Sequence, residues 1–325
     1  MHEFKLIEKI KELTKNNNTD NINIGDDCAV IKNISNDKDI LVTSDILVEN
    51  IHFSLKYYSF YDVGYKSAQV NISDIICKGA YPKNVFISLS IPKKINDKNI
   101  LEWYRGFLDA CKPYNIEISG GDTTSSNDYF FISITLIGTI EKNKAVLRSN
   151  AKIDDNVYII GFAGESDLGL KKLLSGNYDY NDKSIQSHLR PKIFFDKWNE
   201  ILNKYEINSS IDISDGLLQD AYHIAKESYK TIEIYKSSNW NLVNRFFKSD
   251  NTNNSNSTNN NEEILKSILT GGEDYAIIFT TQNNIPEENN LIKIGKVKEY
   301  SNTYIKFLDS NNKEIYFNSL GFIHS

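Results

Sequence analysis

Apolar runs that end in hydroxyls, glycine and an acid recur along this chain, and that pattern constrains its fold more than any other feature. Ile40-Leu-Val-Thr-Ser-Asp45 reads as a buried strand whose end exchanges packing for oxygen ligands. The same ending appears at Gly25-Asp26-Asp27, Asn71-Ile-Ser-Asp74, Ser119-Gly-Gly-Asp122, Asp212-Ile-Ser-Asp215-Gly216 and Gly271-Gly-Glu-Asp274. One such ending is an ordinary turn or helix cap. Their repetition points to elements that deliver oxygen ligands for metal and phosphate.

At 325 residues the chain exceeds what a single core usually supports, so two domains are expected. The boundary is placed at the hinge Arg148-Ser-Asn-Ala-Lys152, giving residues 1–148 and 149–325. A net charge of −6 argues against a nucleic-acid partner. It leaves room for anionic substrates, because bound cations reverse the local field. Cys28, Cys77 and Cys111 form no CxxC pair and read as reduced thiols, with the cytoplasm as the expected location. No early apolar run resembles a signal peptide and no run of about 18 apolar residues spans a membrane, so no membrane association is expected.

In chain order, Met1–Lys15 reads as an amphipathic helix, and Gly25 as the turn that presents Asp26 and Asp27. The periodicity predicts a helix over 59–79 with Asp74 on its wall, placed to complete a site begun by Asp27 and Asp45; His52 follows Asp45 closely in sequence. A strand over 84–91 precedes a helix over 97–113, whose apolar stripe is read as Leu101, Tyr104, Phe107, Leu108 and Cys111. A strand then runs into Gly120-Gly121-Asp122, and another covers 130–140. The second half opens with a strand over 156–162 and a helix through Leu174. His188-Leu-Arg-Pro191 is read as a helix start, with proline in the first turn. Asp212 ends a strand, and Ser214, Asp215 and Gly216 enter a helix through Lys226 whose N–H groups suit phosphate. Residues 249–261 are nearly all Asn, Ser and Thr and are expected to be a disordered loop. A helix over 262–269 and Gly271-Gly-Glu273-Asp274-Tyr275 lead into a strand over 276–280.

Asp27, Asp45, Asp74, Asp122, Asp212 and Asp215 exceed the two carboxylates that glycoside hydrolysis needs. Acids and hydroxyls without a His or Cys cluster suit a hard cation, Mg²⁺ rather than Zn²⁺. Mg²⁺ commonly bridges protein carboxylates and substrate phosphates. The P-loop and protein-kinase signatures are both missing.

The chain resembles the thiamine-monophosphate kinases of the PurM-like ATP-binding superfamily. The resemblance lies in Gly25-Asp-Asp27, Thr43-Ser-Asp45, His52-Phe53, Val70-Asn-Ile-Ser-Asp74, Gly120-Gly-Asp122, Leu147-Arg148-Ser, His188-Leu-Arg-Pro191, Asp212-Ile-Ser-Asp215-Gly216 and Gly271-Gly-Glu-Asp-Tyr275, in the family's order. It implies an α+β fold of two domains with mixed sheets packed by helices, and a homodimer formed through the N-terminal domain. It implies ATP-dependent phosphorylation of thiamine monophosphate to thiamine diphosphate, assisted by several Mg²⁺ ions. Their implied ligands are Asp27, Thr43, Ser44, Asp45, Asp74, Asp122, Asp212 and Asp215, with Asp45, Asp74 and Asp122 carrying the chemistry. ATP would meet Tyr104, Gly121, Asp122, Arg148 and Ser214. Thiamine monophosphate would meet His52, Glu273 and Phe322.

A phosphate nucleophile is already ionised at neutral pH, so in-line transfer needs positioning and charge neutralisation rather than a general base. Three places depart from the family pattern: Cys77-Lys78 before Gly79, Ser187 before His188, and Glu165 after Gly164. Related alternatives are selenophosphate synthetase and aminoimidazole ribotide synthetase. A non-catalytic nucleotide sensor on the same fold is the reading from another class.

Overall fold

The computed structural model describes residues 3–14, 21–32, 35, 37–236, 238–247, 255–317 and 319–322. The fold is α+β, with two compact units, one of Ile7–Ala145 and the other of Val146–Ser325 together with Met1–Leu6. Arg148 therefore belongs to the second unit.

Helix α1 (Glu3–Leu13) precedes a sheet built from β1 (Ala29–Ile31), β2 (Lys38–Val48), β3 (Tyr81–Pro92), β4 (Glu117–Ser126) and β5 (Phe131–Glu141), with α2 (Phe60–Cys77) and α3 (Asp97–Cys111) between its strands. The strand order is β1-β2-β5-β3-β4. Only β3 and β4 run parallel; the other neighbours are antiparallel. Alternation explains which face is buried. In β2, Leu41, Thr43 and Leu47 point inward while Lys38, Ser44 and Ile46 point outward. Ile132, Ile134 and Leu136 of β5 and Val85, Ile87 and Leu89 of β3 continue the inner face.

Helix α2 begins where Ser59 and Asp62 form a capping box: Ser59 Oγ accepts the Asp62 N–H at 3.1 Å, and Asp62 Oδ2 accepts the Ser59 N–H at 3.4 Å. Buried residues surround it on nearly every side, including Lys66, Asn71, Ile72, Ile75 and Ile76. It meets α3 through reciprocal glycines. A Cβ on Gly64 would lie 1.9 Å from the Trp103 carbonyl oxygen, and one on Gly106 would lie 1.9 Å from that of Tyr61. The buried stripe of α3 is Trp103, Gly106, Phe107, Ala110 and Cys111. Leu101 and Leu108 are exposed instead, because this close crossing selects the face that carries Gly106.

The second unit contains β6 (Asn156–Ile160), α4 (Glu165–Leu174), α5 (Lys183–Leu189), α6 (Phe195–Lys204), β7 (Ser209–Asp212), α7 (Leu217–Glu227), β8 (Lys230–Tyr235), α8 (Ser255–Thr270), β9 (Ile277–Thr281), β10 (Leu291–Glu299), β11 (Ile305–Leu308) and β12 (Glu314–Ile315). Its seven-stranded sheet runs β12-β11-β8-β10-β6-β9-β7. The core joins Val157, Ile159, Ile211, Leu217, Leu218, Ile224, Ile232, Ile268 and Ile278.

Two expectations change here. His188 lies in the last turn of α5, and no helix starts at Pro191; α6 begins at Phe195. Asp182 nucleates α5 by accepting the N–H groups of Ser184 and Ile185 at 2.9 and 3.2 Å. The proline follows the helix end, since it cannot continue the hydrogen-bond ladder. Of the Asn-rich stretch, residues 249–254 lie outside the described residues, whereas 255–261 are helical as the start of α8. Ile264, Leu265, Ile268 and Leu269 anchor the following turns in the core. Propagation from an anchored nucleus adds one hydrogen bond per residue, which overcomes the weak helix preference of Asn and Ser.

Candidate functional site

In the first unit, four of the expected acids or their neighbours gather between the β1 turn, β2 and the end of α2. Asp27 donates its N–H to Asp26 Oδ1 at 2.9 Å. The Lys78 ammonium, at the C-cap of α2, lies 2.8 Å from Asp26 Oδ1 and in direct contact with Asp27 Oδ2. The Asp27 carboxylate, expected to ligate metal, therefore carries an ammonium. The Cys77 thiol donates to Asp27 Oδ2 at 3.4 Å, and the Cys77 and Cys28 thiols each reach the Asp74 carbonyl oxygen at 3.2 Å. Burial first, then the charges of Asp74 and Asp27, push the Cys28 thiol well above its ordinary range, so it is an unreactive structural thiol.

Alternation along β2 puts Thr43 and Asp45 on the face covered by α2. Thr43 Oγ1 donates to Asp74 Oδ2 at 2.5 Å. Burial is the main influence on Asp45: it raises the carboxyl to about 6, with the Asp27 charge adding to it and a hydrogen bond with Asp74 opposing it. Asp45 Oδ2 is buried and has no hydrogen-bond partner. An orphaned carboxylate oxygen beside a second acid and a hydroxyl suits a hard divalent cation. Ser44 points the other way, and its hydroxyl pairs with Thr135 Oγ1 at 3.0 Å; its side chain does not join Thr43 and Asp45.

Asp122 is also apart. It lies on β4, three strands from β2, in the row Ile46–Ser133–Ser88–Asp122, which is the outer face of the sheet. At Gly121 a Cβ would lie 1.8 Å from the Ile87 carbonyl oxygen, so packing against β3 already requires glycine there. Tyr104 is half-buried on α3, edge-on to Trp103 at 4.9 Å. His52 sits in the turn after β2, where its Nδ1 accepts the Val48 N–H at 3.0 Å. In the neutral ring this leaves the proton on Nε2.

In the second unit, β7 delivers buried Asp212, and Ser214, Asp215 and Gly216 lead into α7. The N–H groups of these three residues, expected to receive phosphate, all donate to Asp220 Oδ2, at 3.1, 3.1 and 3.0 Å. An internal carboxylate one turn into the helix therefore occupies them. Burial pushes the Asp220 carboxyl well up, and the Asp215 and Asp212 charges add to that. The Gly216 N–H and Arg148 work against it. Asp215, Asp220 and His223 hold ligand atoms within 4.8 Å of one another. In the sequence alone Asp220 carries no signal of this role, because an acid in a first helical turn resembles a solvated one.

Main-chain hydrogen bonds tie the expected ATP and substrate residues of this unit together. Glu273 N–H donates to the Ser214 carbonyl at 2.8 Å, and Phe322 N–H to that of Asp215 at 2.9 Å. Arg148 opens a 3₁₀ turn, where its carbonyl accepts from Ser228 Oγ at 2.9 Å. Glu273 and Tyr275 both adopt left-handed backbone angles, φ 63° and 53°. Such angles in residues with side chains persist only where surroundings enforce them, commonly at functional sites. Asp274, buried between them, accepts the N–H groups of Gly164 and Ser166 at 2.5 and 3.0 Å. Ser166 Oγ meets His188 Nδ1 at 3.0 Å, and that nitrogen lies 3.5 Å from Glu273 Oε2.

Two departures from the family pattern touch each other here. Ser187 Oγ donates to Glu165 Oε2 at 3.1 Å. Arg245 joins both, with Nε 3.0 Å from each Glu165 carboxylate oxygen and Nη2 donating to Ser187 Oγ at 3.0 Å. Arg245 thus brings a positive charge to both from a different segment of the chain.

Residues 25–140 match the family described as AIR synthase related protein, N-terminal domain. Thiamine-monophosphate kinase of Bacillus subtilis is 37% identical over 244 residues, covering 73% of this chain and 74% of the relative. The enzyme of that name from Aquifex aeolicus is 35% identical over 311 residues, covering 93% and 94%. Among solved structures, AaThiL complexed with AMPPCP and TMP aligns over 100% of this chain and 97% of its own, with a TM-score of 0.81 and 32% identity.

Proposed function

The chain belongs to the thiamine-monophosphate kinase family, and on that premise we propose that it transfers the γ-phosphoryl group of ATP directly to thiamine monophosphate, giving ADP and thiamine diphosphate. The observation that carries this reading is the buried, unpartnered Asp45 Oδ2 beside Asp74 and the Thr43 hydroxyl. Such a group is costly to bury without a cation. A likeness to a structure described with AMPPCP and TMP supports the substrate assignment.

Asp45, Asp74 and Thr43 in the first unit, and Asp212 and Asp215 in the second, are the residues we assign to Mg²⁺. Bound there, Mg²⁺ neutralises phosphate oxygens. Ser214 and Arg148 are assigned to ATP; with the loop N–H groups committed to Asp220, ATP contacts at this turn fall to the Ser214 hydroxyl and the Arg148 guanidinium. Tyr104, Gly121 and Asp122 complete the ATP assignment. His52, Glu273 and Phe322 are assigned to thiamine monophosphate, with His52 presenting Nε2–H and Glu273 held in register by His188 and the Ser214 carbonyl. The acceptor phosphate is ionised at neutral pH, so no side chain has to remove a proton from it, and an in-line displacement follows from positioning alone.

We further assign the outer face of the first sheet to a homodimer contact. Ile46 and Phe86 are exposed there, and a mixed sheet with apolar residues on its open face invites a partner. Asp122 lies on that same face, and we assign it to the contact with them. The cytoplasm is the assigned compartment, in keeping with three free, buried cysteines. No helix among the described residues is long and apolar enough to cross a membrane.

The test is to incubate the protein with ATP, Mg²⁺ and thiamine monophosphate and follow the products by chromatography. Equal amounts of ADP and thiamine diphosphate are expected. ATP bound but not consumed would favour a nucleotide sensor instead.

A further inference from the structure

Lys78 brings a cation of its own to the acid cluster. Its side chain is 1% exposed, as is that of Asp27, and that of Asp26 is 6% exposed. A buried ammonium is tolerated only when paired and hydrogen-bonded. Two adjacent carboxylates at one turn equally require a positive charge between them. Each need meets the other here: the ammonium is 2.8 Å from Asp26 Oδ1 and touches Asp27 Oδ2. The position is favourable for a second reason. Lys78 caps the C-terminal end of α2, where the helix dipole stabilises positive charge.

A divalent cation at this turn would need the same oxygens. Mg²⁺ takes carboxylate oxygens at about 2.0–2.1 Å and demands near-octahedral coordination, whereas the Asp27 oxygen facing the cluster already meets the ammonium and the Cys77 thiol. The residues present at Asp26 and Asp27 therefore do not suit a metal ion, in contrast to Asp45 and Asp74. We propose that the Lys78 ammonium is a tethered substitute for one divalent ion at the Asp26–Asp27 turn, so that the chain binds one ion fewer than its carboxylates would otherwise hold.

The inference rests on reading Asp45 and Asp74 as cation ligands, but not on the identity of the phosphoryl acceptor. It is tested by counting Mn²⁺ bound to the full chain, from the electron paramagnetic resonance of the free ion, in wild type and Lys78→Met. The variant is expected to bind one more Mn²⁺ per chain. Equal counts would overturn the proposal, since the ammonium would then yield to the ion. Should Lys78→Met fail to fold, crystals of the wild type soaked in Mn²⁺ decide the matter. Anomalous peaks at Asp45–Asp74 with none at Asp26–Asp27 support the proposal, and a peak against Asp27 with Nζ displaced overturns it. An absence of Mn²⁺ everywhere would overturn both the proposal and the metal reading beneath it. A protein with unequal counts that does not phosphorylate thiamine monophosphate would lose the kinase reading alone.

Discussion

The Asp220 carboxylate accepts the Gly216 N–H at 3.0 Å, so the loop entering α7 is held by an acid that lies within the helix it precedes. The same oxygen takes the N–H groups of Ser214 and Asp215. One buried side chain thereby fixes the loop that presents Asp212, Ser214 and Asp215, and through the Ser214 carbonyl it also fixes Glu273.

Removing that acceptor leaves three N–H groups without it. Asp220→Ala is expected to destabilise the protein by about 3 kcal/mol, at the upper end of the cost of unsatisfied buried groups. Asp220→Asn retains a carbonyl oxygen and should be milder. Urea unfolding midpoints of the two variants check the order; equal losses would show that the acceptor is not what matters.

Asp45 gives opposite signs for stability and activity. Its folded carboxyl titrates at about 6 against an ordinary 3.8. The folded state favours the protonated form, so its contribution to stability is complete below 3.8 and is lost as pH rises through about 6. Without divalent cations at neutral pH, Asp45→Asn should therefore melt higher than wild type, and the difference should shrink as pH falls from about 6 towards 3.8 and vanish below it. Its turnover should fall by about 100-fold or more, as when a preorganised charge-stabilising group is removed. Melting curves in EDTA across this range, set beside kcat, test both signs.

Arg245 grips a fully buried Glu165 with a two-pronged fork. Arg245→Ala strands that carboxylate. Because the guanidinium is 36% exposed, the loss is set below that of a fully buried pair, at about 2 kcal/mol. Arg245→Lys should recover little, since an ammonium cannot reproduce the planar fork or the stacking over Phe162, now 4.3 Å away. Thermal unfolding of the two variants checks this.

Much of the first site was legible because period-two alternation needs only local sequence. Thr43 and Asp45 share the face of Leu41 and Leu47, and the helical period brings Asp74 over it. That alternation also excludes the Ser44 side chain, which listing the motif residue by residue conceals. Asp122 illustrates what local pattern cannot give: its distance from Asp45 follows from a strand order in which β5 and β3 intervene. Local sequence gives no partner for Lys78 or Asp220, and only packing reveals them. The stripe of α3 depended on a close crossing of two helices, Gly64 against Trp103 and Gly106 against Tyr61, which are far apart in sequence.

Direct transfer is tested most directly with ATP labelled in its γ-phosphoryl group, under single-turnover conditions with Mg²⁺ and thiamine monophosphate. The account predicts that the label appears in thiamine diphosphate as ADP forms, with none retained on the protein. Label trapped on a side chain, or released wholly as inorganic phosphate, would contradict it.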